Sequence, residues 1–78
     1  MSDQEQHHQQ VQKALGDQIN NLRRKKEWPQ NTLAELAGMT TRRIAEIERG
    51  AIDLRLSELI TIAQAFDMGL SQLFHGIS

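Results

Sequence analysis

Cysteine is absent from this 78-residue chain, proline occurs once, and no sustained apolar alternation of the strand type appears anywhere along it. Without thiols, neither a disulfide framework nor a thiolate metal site can staple the fold. No apolar run approaches the ~20 residues that a membrane-spanning helix needs. The opening MSDQEQHHQQ lacks the basic-then-apolar order of a signal peptide. A cytoplasmic protein with no membrane partner is expected. Catalytic groups are equally scarce. The three histidines are His7, His8 and His75, and no pair of carboxylates falls in a plausible cleft. The adjacent His7 and His8 point to different helix faces and lack further ligands. No enzyme, cofactor or metal site is expected.

Charge of one sign is also lacking overall, since the formal net charge is −1. Its distribution is uneven. Residues 23–55 are net +3 and the remainder net −4. A basic face backed by acidic ends can orient on a polyanion while keeping non-specific affinity modest.

The length allows one domain, near the lower limit for folding without staples. Residues 1–10 are Gln-, His- and acid-rich without apolar periodicity, and read as a flexible polar tail ahead of a domain over residues 11–78. Val11, Leu15, Ile19 and Leu22 then form one stripe of an amphipathic helix ending near Lys26. Pro29 stops that helix and can open the next, which runs from about Pro29 or Gln30 to Ala37. Gly38 supplies a left-handed stop. Thr40 caps a third helix that reaches about Arg49 before Gly50 ends it. Leu56, Leu59, Ile60, Ala63 and Phe66 mark a fourth helix. Gly69 turns the chain, and Ser71 is placed to cap a short fifth. The expectation is an all-α domain of five helices around about fifteen apolar side chains.

Within it, QNTLAELAGMTTRRIAEIER writes two short helices joined by a tight turn. Leu33, Ala34 and Ala37 make one apolar face, and Ile44 and Ile47 begin another. The solvent side of the second helix carries Thr41, Arg42, Arg43 and Glu46, side-chain types that hydrogen-bond phosphates and base edges. That pattern is a helix-turn-helix.

From about residue 15 to residue 74 the chain resembles the lambda-repressor-like DNA-binding domain of the Cro/Xre type. The resemblance rests on LGDQINNLRRKK, LAELAGM, IAEIERG and LSELITIAQAFDMGLSQLF, in that order and spacing. It departs from the family pattern at Glu27, Trp28 and Pro29, where Gly, an aliphatic residue and Ser or Thr are usual. Trp28 is expected to plug the core between the first two helices.

The resemblance implies a five-helix lambda-repressor-like fold whose third helix lies in the major groove of double-stranded DNA. It places Thr41, Arg42 and Glu46 at base-reading positions. Arg42 can fork onto guanine O6 and N7, Glu46 can accept from cytosine N4 or instead pair with Arg42 or Arg43, and Thr41 can meet thymine or a phosphate. Phosphate contacts are expected from Gln30 at the start of the second helix and from Thr40 and Arg43, with Arg49 and Arg55 behind them. The family pattern also pairs Arg23 with Glu48; four consecutive basic residues cannot share one helix face, so Lys25 and Lys26 are expected to stay solvated. Homodimerisation through the C-terminal helices is implied; Ile62, Met68, Leu70, Leu73, Phe74 and Ile77, which supply more apolar surface than a small monomer is expected to bury, are the interface candidates. The recognition helices would then lie about 34 Å apart, one DNA turn, over a near-palindromic operator.

Controller proteins of restriction–modification systems, small phage-type repressors and antitoxins all share this stand-alone design, and the sequence leaves them open. No effector domain fits in the remaining length, so control would fall to concentration, self-repression or a second regulatory protein. The alternative function is a protein-interaction module, of antitoxin or anti-repressor type, using the same helices against a protein partner.

Overall fold

The computed structural model describes residues 3–77, with side chains from residue 10 onward, and consists of five helices. They are α1 (Asp3–Lys25), α2 (Gln30–Ala37), α3 (Thr41–Glu48), α4 (Leu56–Ala65) and α5 (Leu70–Leu73). Among the described residues there is no strand, and no helix is long and apolar enough to cross a membrane.

The helix starts and stops have local causes. In α1 the stripe buries Leu15 and Ile19, and Arg23, Arg24 and Lys25 place positive charge against the carbonyl end of the helix dipole. Glu27 then takes a left-handed φ of 58°, and the Trp28 N–H returns to the Arg23 carbonyl at 3.1 Å. Pro29, extended at φ −71° and ψ 165°, becomes the N-cap of α2 without a side-chain cap bond. Gly38 closes α2 at φ 68°, with the Met39 N–H on the Ala34 carbonyl at 2.8 Å. The Thr40 hydroxyl accepts the Arg43 N–H at 3.0 Å and starts α3, as its position implies. Gly50 turns the chain away at φ 92°.

Two boundaries differ from the sequence reading. Helix α1 begins at Asp3, well ahead of Val11, where the apolar stripe starts. Gln and Glu are good helix formers and sustain a helix without an apolar face. Residues 1 and 2 and the side chains of residues 3–9 lie outside the described set, and the expected tail character and histidine pair lie there with them. Second, α5 is capped from Gly69 and not by Ser71. The Gly69 N–H donates to the Gln72 side-chain oxygen at 2.9 Å, so Ser71 falls inside the helix.

Leu15, Ile19, Leu33, Ile44, Ile47, Leu59, Ile62, Phe66 and Leu73 form the centre of the core. Trp28 is half-buried and stacks on Phe66, with ring centroids 5.5 Å apart and planes 11° apart, so it seals the α1–α2 turn against the end of α4. Gly16 brings α1 down onto the end of α3. A Cβ there would stand 2.5 Å from the Ile47 carbonyl oxygen and 2.8 Å from that of Glu48.

This packing corrects the expected interface. Ile62 and Leu73 are both fully buried within one chain and have no surface left for a partner. The stripe of α4 that includes Ile62 faces inward, and Leu73 closes the bottom of the same core. Met68, Leu70, Phe74 and Ile77 are partly buried at its margin. The large apolar side chains that remain exposed are Ile52, Leu56 and Ile60, together with Leu36 on α2.

Candidate nucleic-acid interface

Helix α3 is short, and two ion-pair clusters fix it at its two ends and on two sides. At its C-terminal end Glu48 is buried, the only charged side chain in the core among the described residues. Arg23 grips it in a fork, Nε to Oε2 at 2.7 Å and Nη2 to Oε1 at 3.0 Å. Asn20 Nδ2 donates to Oε1 at 2.8 Å, and Gln30 Nε2 to the same oxygen at 3.1 Å. The third guanidinium nitrogen of Arg23 donates to the Trp28 carbonyl at 2.7 Å. The family-implied Arg23–Glu48 pair is therefore present, with two amides completing it. Burial pushes the Glu48 carboxyl up, but the bonds from Arg23, Asn20 and Gln30 outweigh it and hold the group below the ordinary carboxylate value.

The second cluster centres on Arg43. Its Nε donates to Glu58 Oε2 at 2.7 Å and its Nη2 to Glu58 Oε1 at 2.9 Å. Its Nη1 reaches Glu46 Oε1 at 3.1 Å and Asp53 Oδ1 at 3.2 Å, and Nη2 also reaches the Asp53 carbonyl at 3.3 Å. A guanidinium has five N–H donors, and all five are used. The cluster joins α3 to the 49–55 loop and to the start of α4, where Glu58 also accepts the Arg55 N–H at 2.9 Å. The fork from Arg43 lowers the Glu58 carboxyl to about 2 against an opposing push from burial, and the same bonds raise the Arg43 guanidinium above its ordinary value.

Between these clamps α3 presents an open face. Thr41 is exposed in the first turn, and the Arg42 side chain is 89% exposed. Glu46 lies one turn further on, its Oε2 3.6 Å from Arg42 Nε. Arg49 is exposed at the C-cap. Positions 42, 46 and 49 are spaced i, i+4, i+7, so they form one stripe along the helix. The sequence reading places Arg49 only at the rim; the i+7 spacing is the available sign that it shares the face of Arg42.

Two expected phosphate contacts are corrected. The Arg43 side chain is only 19% exposed, and its donors are consumed within the chain, so none is free for a phosphate. Gln30 turns its amide inward to Glu48, which leaves only the backbone at the start of α2 for an anion. Thr40 is exposed, and its oxygen accepts the capping bond while its hydroxyl proton stays free. The charge hub around Arg43 escapes a sequence reading because Glu58 and Asp53 come from a helix and a loop whose placement no local pattern states. Among the described residues no buried side-chain polar atom lacks a partner, and no group of acidic or histidine side chains could hold a metal ion.

Residues 19–73 match the helix-turn-helix family model. Comparison with curated proteins finds no match. Among solved structures, the chain is similar to the restriction-modification controller protein C.AhdI from Aeromonas hydrophila, at 31% identity and a TM-score of 0.75, over 82% of this chain and 96% of that one. It also shares its fold with the clp gene regulator ClgR from C. glutamicum, at 22% identity and a TM-score of 0.74, over 82% of this chain and 83% of that one. The chain belongs to the helix-turn-helix family, of the Cro/Xre type, and has the all-α fold of its DNA-binding regulators.

Proposed function

We propose that this chain is a sequence-specific regulator of transcription that binds a near-palindromic operator as a homodimer, with α3 in the major groove. One observation carries the reading. A short helix locked on both sides aims Thr41, Arg42 and Glu46 outward, with the Arg42 side chain almost fully exposed. Locking matters because a base contact gains specificity only from a side chain whose backbone is already placed. Arg42 then forks onto guanine, Glu46 accepts from cytosine N4, and Thr41 meets a thymine methyl or a phosphate. Thr40, Arg49 and the uncapped backbone N–H groups at the start of α2 take the phosphates.

The similarity to a controller protein over nearly all of that protein's length supports a DNA-binding regulator of transcription. Dimerisation is supported by Leu56 and Ile60, one turn apart on α4, and by Ile52 in the preceding loop, all left uncovered by their own chain. Partly buried Met68, Leu70, Phe74 and Ile77 extend apolar surface at the C-terminal end.

The test is binding of the purified protein to DNA upstream of its own gene and to a random duplex pool, across a salt series, with Arg42→Ala alongside. The expected result is tight binding to a defined sequence that weakens with salt, and a loss of about 1–3 kcal/mol of discrimination at one base pair per half-site in the variant. Equal, weak binding to every duplex, unchanged by Arg42→Ala, would overturn the reading and direct the search to a protein partner.

A further inference from the structure

We infer that Arg43 is a positioning residue for base reading, acting through Glu46 without touching DNA itself. This rests on the DNA-reading function proposed above. Glu46 sits on the open face of α3 with its two oxygens in different situations. Oε1 is held by Arg43 Nη1 at 3.1 Å, while Oε2 stands 3.6 Å from the solvent-exposed Arg42. A glutamate on an exposed helix face ordinarily samples several rotamers. Here one oxygen is tied to a guanidinium that is itself immobilised by the Glu58 fork and by Asp53. The second oxygen is left as a fixed acceptor beside Arg42.

Such an arrangement does two things in the major groove. It presents a single acceptor in place of a mobile carboxylate, which favours an exocyclic amino group over a carbonyl. It also offsets one of the three negative charges that Glu46, Asp53 and Glu58 would set against the phosphates. The anchor is planar and forked, so the role belongs to arginine. A lysine carries the same charge but cannot grip Glu58 at two points while reaching Glu46 and Asp53.

The competing role, direct binding of a phosphate, differs in two readouts. Removing a phosphate-binding charge lowers the salt dependence of binding by about one unit of slope and weakens all sequences alike. Removing a positioning residue lowers discrimination at the base pair that Glu46 reads and leaves the slope in place. Arg43→Lys separates the two because it keeps the charge.

The experiment measures binding of the full chain to its selected operator and to single-base variants over a salt series. The proteins are wild type, Glu46→Ala, Arg43→Lys, the double variant and Glu58→Gln, each checked for helical content. Expected is an about tenfold fall in discrimination for Arg43→Lys, confined to the base pair identified by Glu46→Ala, with no further loss in the double variant. Glu58→Gln, which removes a negative charge and should by charge alone tighten binding, is expected to lose discrimination at the same base pair. It also keeps the test decisive if Arg43→Lys does not fold. Retained discrimination in Arg43→Lys and Glu58→Gln overturns the inference while leaving DNA reading intact. A wild-type protein without sequence preference overturns both.

Discussion

At the residue scale, Gly16 and Glu27 have exchanged the residue types that their backbones favour. Gly16 lies inside a helix, where alanine would ordinarily be better by about 1 kcal/mol. Its missing Cβ is what lets α1 rest on the Ile47 and Glu48 carbonyls. Those are backbone atoms and cannot swing aside. Gly16→Ala is therefore expected to destabilise by several kcal/mol against the helix propensity, or to abolish folding. Glu27 has the opposite problem, because a left-handed φ of 58° costs a side-chain-bearing residue about 1–2 kcal/mol. Glu27→Gly removes that strain and returns part of the gain as unfolded-state entropy. A net stabilisation of about 0.5–1 kcal/mol is expected, a rise of a few degrees in Tm. Thermal melting of the two variants checks both signs, and an unchanged or lower Tm for Glu27→Gly would refute the strain argument. The Glu27 position was legible as a departure from the family's usual glycine. The role of Gly16 was not, since a lone glycine in a helical stripe does not say which carbonyls will cross it.

At the scale of elements, what could be read was whatever neighbours in sequence decide. Pro29, Gly38, Thr40 and Gly50 act on their own backbone or within four residues, and the limits of α2 and α3 follow from them. The inward turn of Gln30, the saturation of Arg43 and the burial of Ile62 and Leu73 depend on which helices meet, and local spacing is silent on that. The ion-pair clusters that join the elements carry a pH signature. The Glu58 carboxyl is lowered from its ordinary value of 4.5 to about 2, and that of Glu48 is also lowered. In that window the unfolded chain binds more protons than the folded one, so stability rises with pH. Both contributions are complete above the unfolded-state value and are lost as pH falls through the folded-state values. Acid unfolding followed by circular dichroism should therefore show stability declining from about pH 4.5 toward 2. Glu58→Gln should flatten that decline while lowering stability at neutral pH. A variant that keeps the full slope would show that other carboxylates dominate.

For the whole molecule, the open question is how so small a domain covers its apolar surface. A chain of this size buries a modest share of that surface, and association commonly supplies the rest. The inner face of α4 is committed to its own core, whereas Ile52 and Leu56, 72% and 63% exposed, are not. The two sets should respond differently to substitution. Ile62→Ala opens a cavity in every protomer and is expected to cost about 2–5 kcal/mol at any protein concentration. Leu56→Ser, alone or with Ile60→Ser, should leave the protomer's helical content intact and act only on association. Tm of a dimer rises with protomer concentration by mass action. The wild-type protein is therefore expected to melt higher as its concentration rises, and the Leu56→Ser/Ile60→Ser variant to lose that dependence and sediment as a monomer. Operator affinity should fall with it, because two linked half-sites bind far more tightly than one. If the variant still sediments as a dimer, the interface must lie with Met68, Leu70, Phe74 and Ile77 alone. If the wild-type protein sediments as a monomer at every concentration and on its operator, a single α3 does the reading. The operator would then carry no internal symmetry, which footprinting would show directly.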